Sequence, residues 1–171
     1  MHYHPPRVLS RMSLANIMLD QLAVARRIIE DGQEPVPAWR IETPDGVFLI
    51  LARLDANKPD QREHALVLIS RFMAWKMATS FVLTEPWLGA DGEDALLVIG
   101  VSHHERLAVV QRVRRHENVS FSKPMWLAPH HVEERFTAVL PKGVTTITAE
   151  ETAVLSRVFG ENGELPATRV G

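Results

Sequence analysis

Residues 77–115, MATSFVLTEPWLGADGEDALLVIGVSHHERLAVVQRVRR, hold three apolar runs in succession, at about 80–87, 94–102 and 105–115. Val, Leu, Ile and Phe dominate them, which is the composition of strands packed in a sheet. Gly89-Ala90-Asp91-Gly92-Glu93 lies between the first two and suits a hairpin loop. His103-His104 falls between the last two, where a second hairpin needs its tip. Histidine tolerates the left-handed backbone region better than most residues, which gives it a structural reason to sit in a tight turn.

Side chains alternate across a strand, so Phe81, Leu83, Glu85 and Trp87 share one face while Val82 and Thr84 share the other. If Phe81 and Leu83 enter the core, Glu85 points the same way. A carboxylate so placed must find a partner, reach solvent at the strand end, or take a raised pKa. Pro86 donates no ladder hydrogen bond, so pairing on its side stops there or the strand lies at an edge.

Upstream, Lys58-Pro59-Asp60 opens a helix over about 60–78 with Ala65, Ile69, Phe72, Met73 and Met77 on one face. Trp75 falls on another side with His64, Leu68 and Arg71. A helix with apolar groups on two sides is expected to lie between the sheet and another element, either the first helix or a second subunit. Trp75 and Leu68 are therefore the expected interface residues. Before that helix, 38–43 and 47–55 read as a hairpin about Pro44-Asp45-Gly46, whose Pro presets φ and whose Gly accepts positive φ. The run VFLILARL is apolar on both faces and reads as a central strand.

The first helix spans about 9–31, with Leu14, Ile17, Met18, Leu22, Ala25, Ile28 and Ile29 at helical spacing. Ser10 or Ser13 can cap it, and Gly32 stands where a C-terminal cap belongs. Residues 33–37 are a connector. After Arg115 the pattern is irregular: 118–147 promise short extended pieces and one helical turn at 130–136. Thr148-Ala149-Glu150-Glu151 is a capping box before a short helix ending near Gly160.

The element order is α-β-β-α-β-β-β-α. It implies an α+β fold: an antiparallel sheet of about five strands, with helices packed mainly on one face. One domain over 1–160 is expected, with 161–171 a loose C-terminal tail. The order is similar to that of roadblock and longin-like domains, small non-catalytic dimerisation modules. The unit of helix, apolar strand, Glu85-Pro86-Trp87, loop and Val/Leu-rich strand, over about 60–115, resembles small uncharacterised bacterial proteins with the same helix–strand–Glu-x-Trp step. That resemblance implies a bacterial source and no assigned activity.

The 171 residues carry 46% hydrophobic and 23% charged side chains and a formal charge of −2. Such a chain is globular and has no global field to draw it to nucleic acid or an anionic membrane. Cysteine is absent, which excludes disulfides, thiolate nucleophiles and Cys-ligated metal centres. The N-terminus lacks the apolar stretch of a signal peptide, and no run is long and apolar enough to span a membrane. A cytoplasmic location is expected.

Three constellations could carry chemistry. Glu85 beside Trp87 could act as a general acid or base with a raised pKa; the simpler reading pairs Glu85 with an arginine, such as Arg71 or Arg106, while Trp87 closes the core. His103 and His104 could ligate metal if the turn bends them together, against the simpler reading of an exposed turn. His130-His131 precede Glu133-Glu134, so His130/Glu133 or His131/Glu134 would share a helical face at i, i+3. A third ligand would have to come from His116, His104 or Glu85, and the HExxH signature is absent. His2 and His4 near the start add only adventitious metal affinity. Arg112, Arg114 and Arg115 with His116 form the basic cluster, but Glu105 and Glu117 flank it and stacking aromatics are missing. Gly-rich phosphate loops, GxSxG and GxGxxG are also missing.

The expected function is thus a non-catalytic domain acting as a homodimer or accessory subunit, since Trp75, Leu68, Trp39 and Trp126 exceed one helix face. The alternatives are a metal-dependent enzyme using Glu85 (with His104 or His131 as the other catalytic candidates, and His130, His131 and Glu134 as metal ligands) or nucleic-acid binding through Arg112, Arg114 and Arg115. No organic cofactor is expected; a divalent metal is the one candidate.

Overall fold

A computed structural model describes residues 13–52, 58–88, 93–129, 132, 134–143 and 145–170. Helix α1 (Leu14–Glu30) starts at Ser13, whose hydroxyl accepts from the Asn16 amide. It ends in a Schellman motif: the Gly32 amide donates to the Ile29 carbonyl and the Gln33 amide to the Ile28 carbonyl, with Gly32 at φ 81°. Strands β1 (Ala38–Thr43) and β2 (Gly46–Leu51) form the expected hairpin, closed by the Thr43 hydroxyl donating to the Gly46 carbonyl. Helix α2 (Pro59–Lys76) stops at Met77, which takes the left-handed conformation at φ 55° without being glycine. The sequence pattern puts Met77 on the buried face of that helix; the structure makes it an exposed cap.

Strands β3 (Ser80–Leu88), β4 (Asp94–Ser102) and β5 (Arg106–Arg115) follow as three antiparallel neighbours. Pairing of β1 with β3 ends at Ala38↔Thr84, two residues before Pro86, whereas β4 stays paired to Leu88. Pro86 therefore sits where β3 has lost one neighbour, as its missing N–H requires.

The sheet is larger than about five strands. Its order is β6-β5-β4-β3-β1-β2-β8, with β7 also on β5, and every pairing is antiparallel. Strands β6 (Val119–Phe121) and β7 (Met125–Leu127) run in turn along the same edge of β5. Between Val113↔Phe121 and Val110↔Met125, the edge has Ser122, Lys123 and Pro124 opposite Gln111 and Arg112. That extra residue is a bulge. Ser122 holds it: its hydroxyl accepts from the Arg112 amide and its carbonyl from the Gln111 side chain.

The opposite edge corrects the expected loose tail. Strand β8 (Ala167–Val170) pairs with β2 from Val47↔Val170 to Ile50↔Ala167. The Arg169 guanidinium stacks over Phe48 and donates to the Asp45 carbonyl, fastening the strand to the hairpin turn.

Three of the four described helices share one face, as expected of most, and α1 takes the other. Helices α2, α3 (Glu134–Thr137) and α4 (Ala149–Val158) pack with Trp39, Ile41, Ile50, Phe81, Leu83, Ile99 and Val101. Helix α1 lies on the other side, where Leu14, Ile17, Met18, Leu22, Ala25 and Ile29 meet Val82, Leu96, Val98, Val109 and Val113. Each fully buried large aliphatic side chain stabilises by about 1.5–3 kcal/mol, so both layers are integral to the fold. Contact is closest at Gly100, where an added Cβ would lie 2.5 Å from the Met18 sulfur.

Candidate functional site

Glu85 does face the core with Phe81 and Leu83, as alternation requires, and its side chain is only 12% exposed. Its partner is Arg62 on the first half of α2, not Arg71 or Arg106. One Arg62 nitrogen, Nη2, donates to both carboxylate oxygens at 3.0 and 3.1 Å. The space beside this pair, walled by Trp39, Leu66 and Phe136, is about 10 Å³, no more than one water molecule needs. Trp87 does not close the core; it is 49% exposed. Glu85 thus lies over packed side chains with an arginine on it, and no cleft opens there for a substrate.

Arg71 is taken by α4. Its Nε donates to Glu151 Oε2 at 2.6 Å and its Nη2 to Oε1. This hydrogen bond holds the Glu151 carboxyl below the ordinary carboxylate range; partial burial opposes the shift and the guanidinium charge adds to it. The same bond raises Arg71. The capping box is half used: the Thr148 hydroxyl accepts from the Glu151 amide, while the Glu151 side chain turns to Arg71.

His103 and His104 stand exposed at the β4–β5 turn. Neither uses the left-handed region. Ser102 closes the turn instead: its hydroxyl accepts from the His104 and Glu105 amides at 3.2 and 3.1 Å, and its amide donates to the Glu105 carbonyl. Glu85 pairs with Leu97, five residues from Ser102 along β4, which sets Glu85 and this turn roughly 17 Å apart along the sheet. They do not share a reactant or an ion. His130, His131 and Glu133 lie outside the described residues, as do His2 and His4, and so does the side chain of Glu134. Among the described residues, no three His, Asp or Glu side chains group to hold a metal.

The basic cluster is largely neutralised. Arg112 pairs with Glu93 at 3.0 Å, and Arg115 bridges Glu34 at 2.6 Å and Asp94 at 3.0 Å. Trp75 and Leu68 are partly buried against the chain's own core. Trp39 is buried, and Trp126 is 43% exposed on the edge strand β7.

Two features carry more weight than these motifs. First, α1 covers β3, β4 and β5, and its packing partners include nothing from β1, β2 or β8. Register places Ala38, Arg40 and Glu42 of β1 on the same face as Val82; Leu51, Leu49 and Val47 of β2 stand opposite them, and Thr168 and Val170 of β8 follow. This half of the sheet face has no helix from the described chain. Leu51 is 50% exposed on it. Second, a hollow of about 540 Å³ opens between the end of β2, the first half of α2 and the segment entering β8. Leu49, Leu51, Leu68 and Leu165 supply its apolar wall, and Gln61, His64, Glu164 and Thr168 its polar groups. Sequence reasoning missed Gln61, Glu164 and Thr168, because the last two sit in a segment without periodicity that only long-range pairing brings beside α2.

No described helix is long and apolar enough to cross a membrane. Compared with known proteins, the chain matches no family model, no curated protein and no solved structure.

Proposed function

We propose that this chain is a non-catalytic association module that works as a homodimer, with the β1–β2–β8 face opposite α2 as the contact. The observation that carries the reading is the half-covered sheet: among the described residues α1 shields β3 to β5, and no helix packs on Val47, Leu49 and the half-exposed Leu51. A sheet face stabilises a fold only when its apolar side is buried against something.

The charges on that face favour a second copy over an unlike partner. Arg40 and Glu42 sit two residues apart on one strand and already pair at 3.1 Å. A two-fold interface presents the same patch from both sides, so a cation beside an anion meets its complement in the other copy. Leu49 and Leu51 flank the pair and would supply the dry centre. A cytoplasmic role accords with a chain that has no cysteine to oxidise.

Sedimentation of the purified protein at micromolar concentration tests this. The wild type should run as a dimer, and Leu49→Glu with Leu51→Glu should run as a folded monomer. A wild-type monomer across that range rejects the reading.

A second reading rests on the 540 Å³ hollow, which is within the size range of small-molecule sites, about 300–1,000 Å³. Leu49, Leu51 and Thr168 belong both to the hollow and to the open face. An apolar fluorescent probe should bind there and be displaced by Leu68→Trp, which fills the space.

A further inference from the structure

We infer that the cleft at the β4–β5 turn binds the phosphate group of a small phosphate monoester. The cleft measures about 270 Å³ and lies between the turn and the segment after α3, with His103, His104, Arg106 and Lys142 on its lining. Val101 and Leu140, both buried, also line it. The site is independent of the association face, which lies on β1, β2 and β8.

Six of the described arginines are already committed. Arg40, Arg62, Arg71, Arg112 and Arg115 each hold a carboxylate, and Arg169 holds the Asp45 carbonyl and the Phe48 ring. Arg106 and Lys142 differ. Among the described residues neither makes an ion pair, and they come from separate parts of the chain to the same cleft. Two permanent cations and two imidazoles then face one carboxylate, that of Glu105. Concentrating unneutralised cations in a concave site with apolar lining focuses a positive field on it.

The chemistry of the donors selects the anion. A planar carboxylate is satisfied by one guanidinium. A guanidinium, an ammonium and two imidazoles around one hollow suit a tetrahedral, doubly charged oxyanion with acceptors on every side. The turn that carries both histidines is fixed, because Ser102 accepts from the His104 and Glu105 amides. The cleft accommodates the phosphate, and the organic part of the ligand lies along the apolar part of its lining, Val101 and Leu140.

Nuclear magnetic resonance titration of the full chain decides it, with inorganic phosphate and phenyl phosphate as probes at constant ionic strength. Saturating shifts are expected at the 102–106 amides and the His103 and His104 rings. Arg106→Ala and Lys142→Ala should each weaken binding by about tenfold, the loss of one charge-assisted hydrogen bond, while Arg114→Ala leaves it unchanged. Tighter binding of phenyl phosphate assigns the monoester, and equal affinity assigns the free ion as the species recognised. Shifts that chloride reproduces, or a binding curve unaltered in the Arg106→Ala/Lys142→Ala double variant, overturn the proposal.

Discussion

Arg71 and Glu151 are eighty residues apart in the chain and joined side by side, with two guanidinium nitrogens on two carboxylate oxygens. The pair ties α4 to α2, on which α4 packs through Phe159 against Phe72 at 4.6 Å between ring centres. It also uses the carboxylate that a full capping box would have spent on its own helix end.

A carboxyl held below its ordinary range in the folded state contributes stability that is present above its unfolded pKa and lost as pH falls through its folded one. For Glu151 the loss therefore falls on the acid side. Arg71→Ala should lower the unfolding temperature at neutral pH, and the difference from wild type should shrink as the solution is acidified. Thermal unfolding of the two proteins from neutral to acidic pH measures it. A difference that stays constant through the carboxylate range would remove the pair from the account.

Glu85 and Arg62 make a second expectation. Arg62→Ala takes two hydrogen bonds from a carboxylate that is 12% exposed, a loss of about 1–2 kcal/mol. Glu85→Ala should cost a similar amount, and the double variant less than the sum of the two, since each single change strands the other partner. Denaturant titration of the three variants gives the coupling. Additive losses would mean that the pair does not hold α2 to β3.

Gly100 tests the packing of α1. A side chain there meets Met18 and Leu14 directly, so Gly100→Val should destabilise by about 1–3 kcal/mol. Removing the obstacle with Met18→Ala in the same chain should recover part of the loss. If Gly100→Val is neutral, α1 does not lie on this strand.

Much of this architecture was legible locally. The hairpin turn at Pro44-Asp45-Gly46, the three strands from Ser80 to Arg115, the Ser13 and Thr148 caps and the Gly32 stop all follow from turn chemistry and periodicity within a few residues. Alternation even told which way Glu85 points. It did not tell that Arg62 would meet it, because Arg62, Arg71 and Arg106 are equivalent until the register of β3 under α2 is set. The Ser-His-His-Glu turn was placed correctly and explained wrongly. Its histidines attract attention, yet the serine hydroxyl does the closing, without any left-handed residue.

The amino-acid order alone determined which segments are helix and strand, where they turn, and which side chains share a face, since those depend on backbone preference and on periods of 2 and 3.6. Only the tertiary structure decided that α1 takes the opposite side from α2, that 167–170 become an edge strand, that a bulge splits the other edge, and that among the described residues half of one sheet face has no helix on it. Those outcomes rest on pairings and packing between residues from under ten positions apart, at the bulge, to more than a hundred, at the edge strand. Their free energy comes from shared burial and ladder hydrogen bonds that no local window contains.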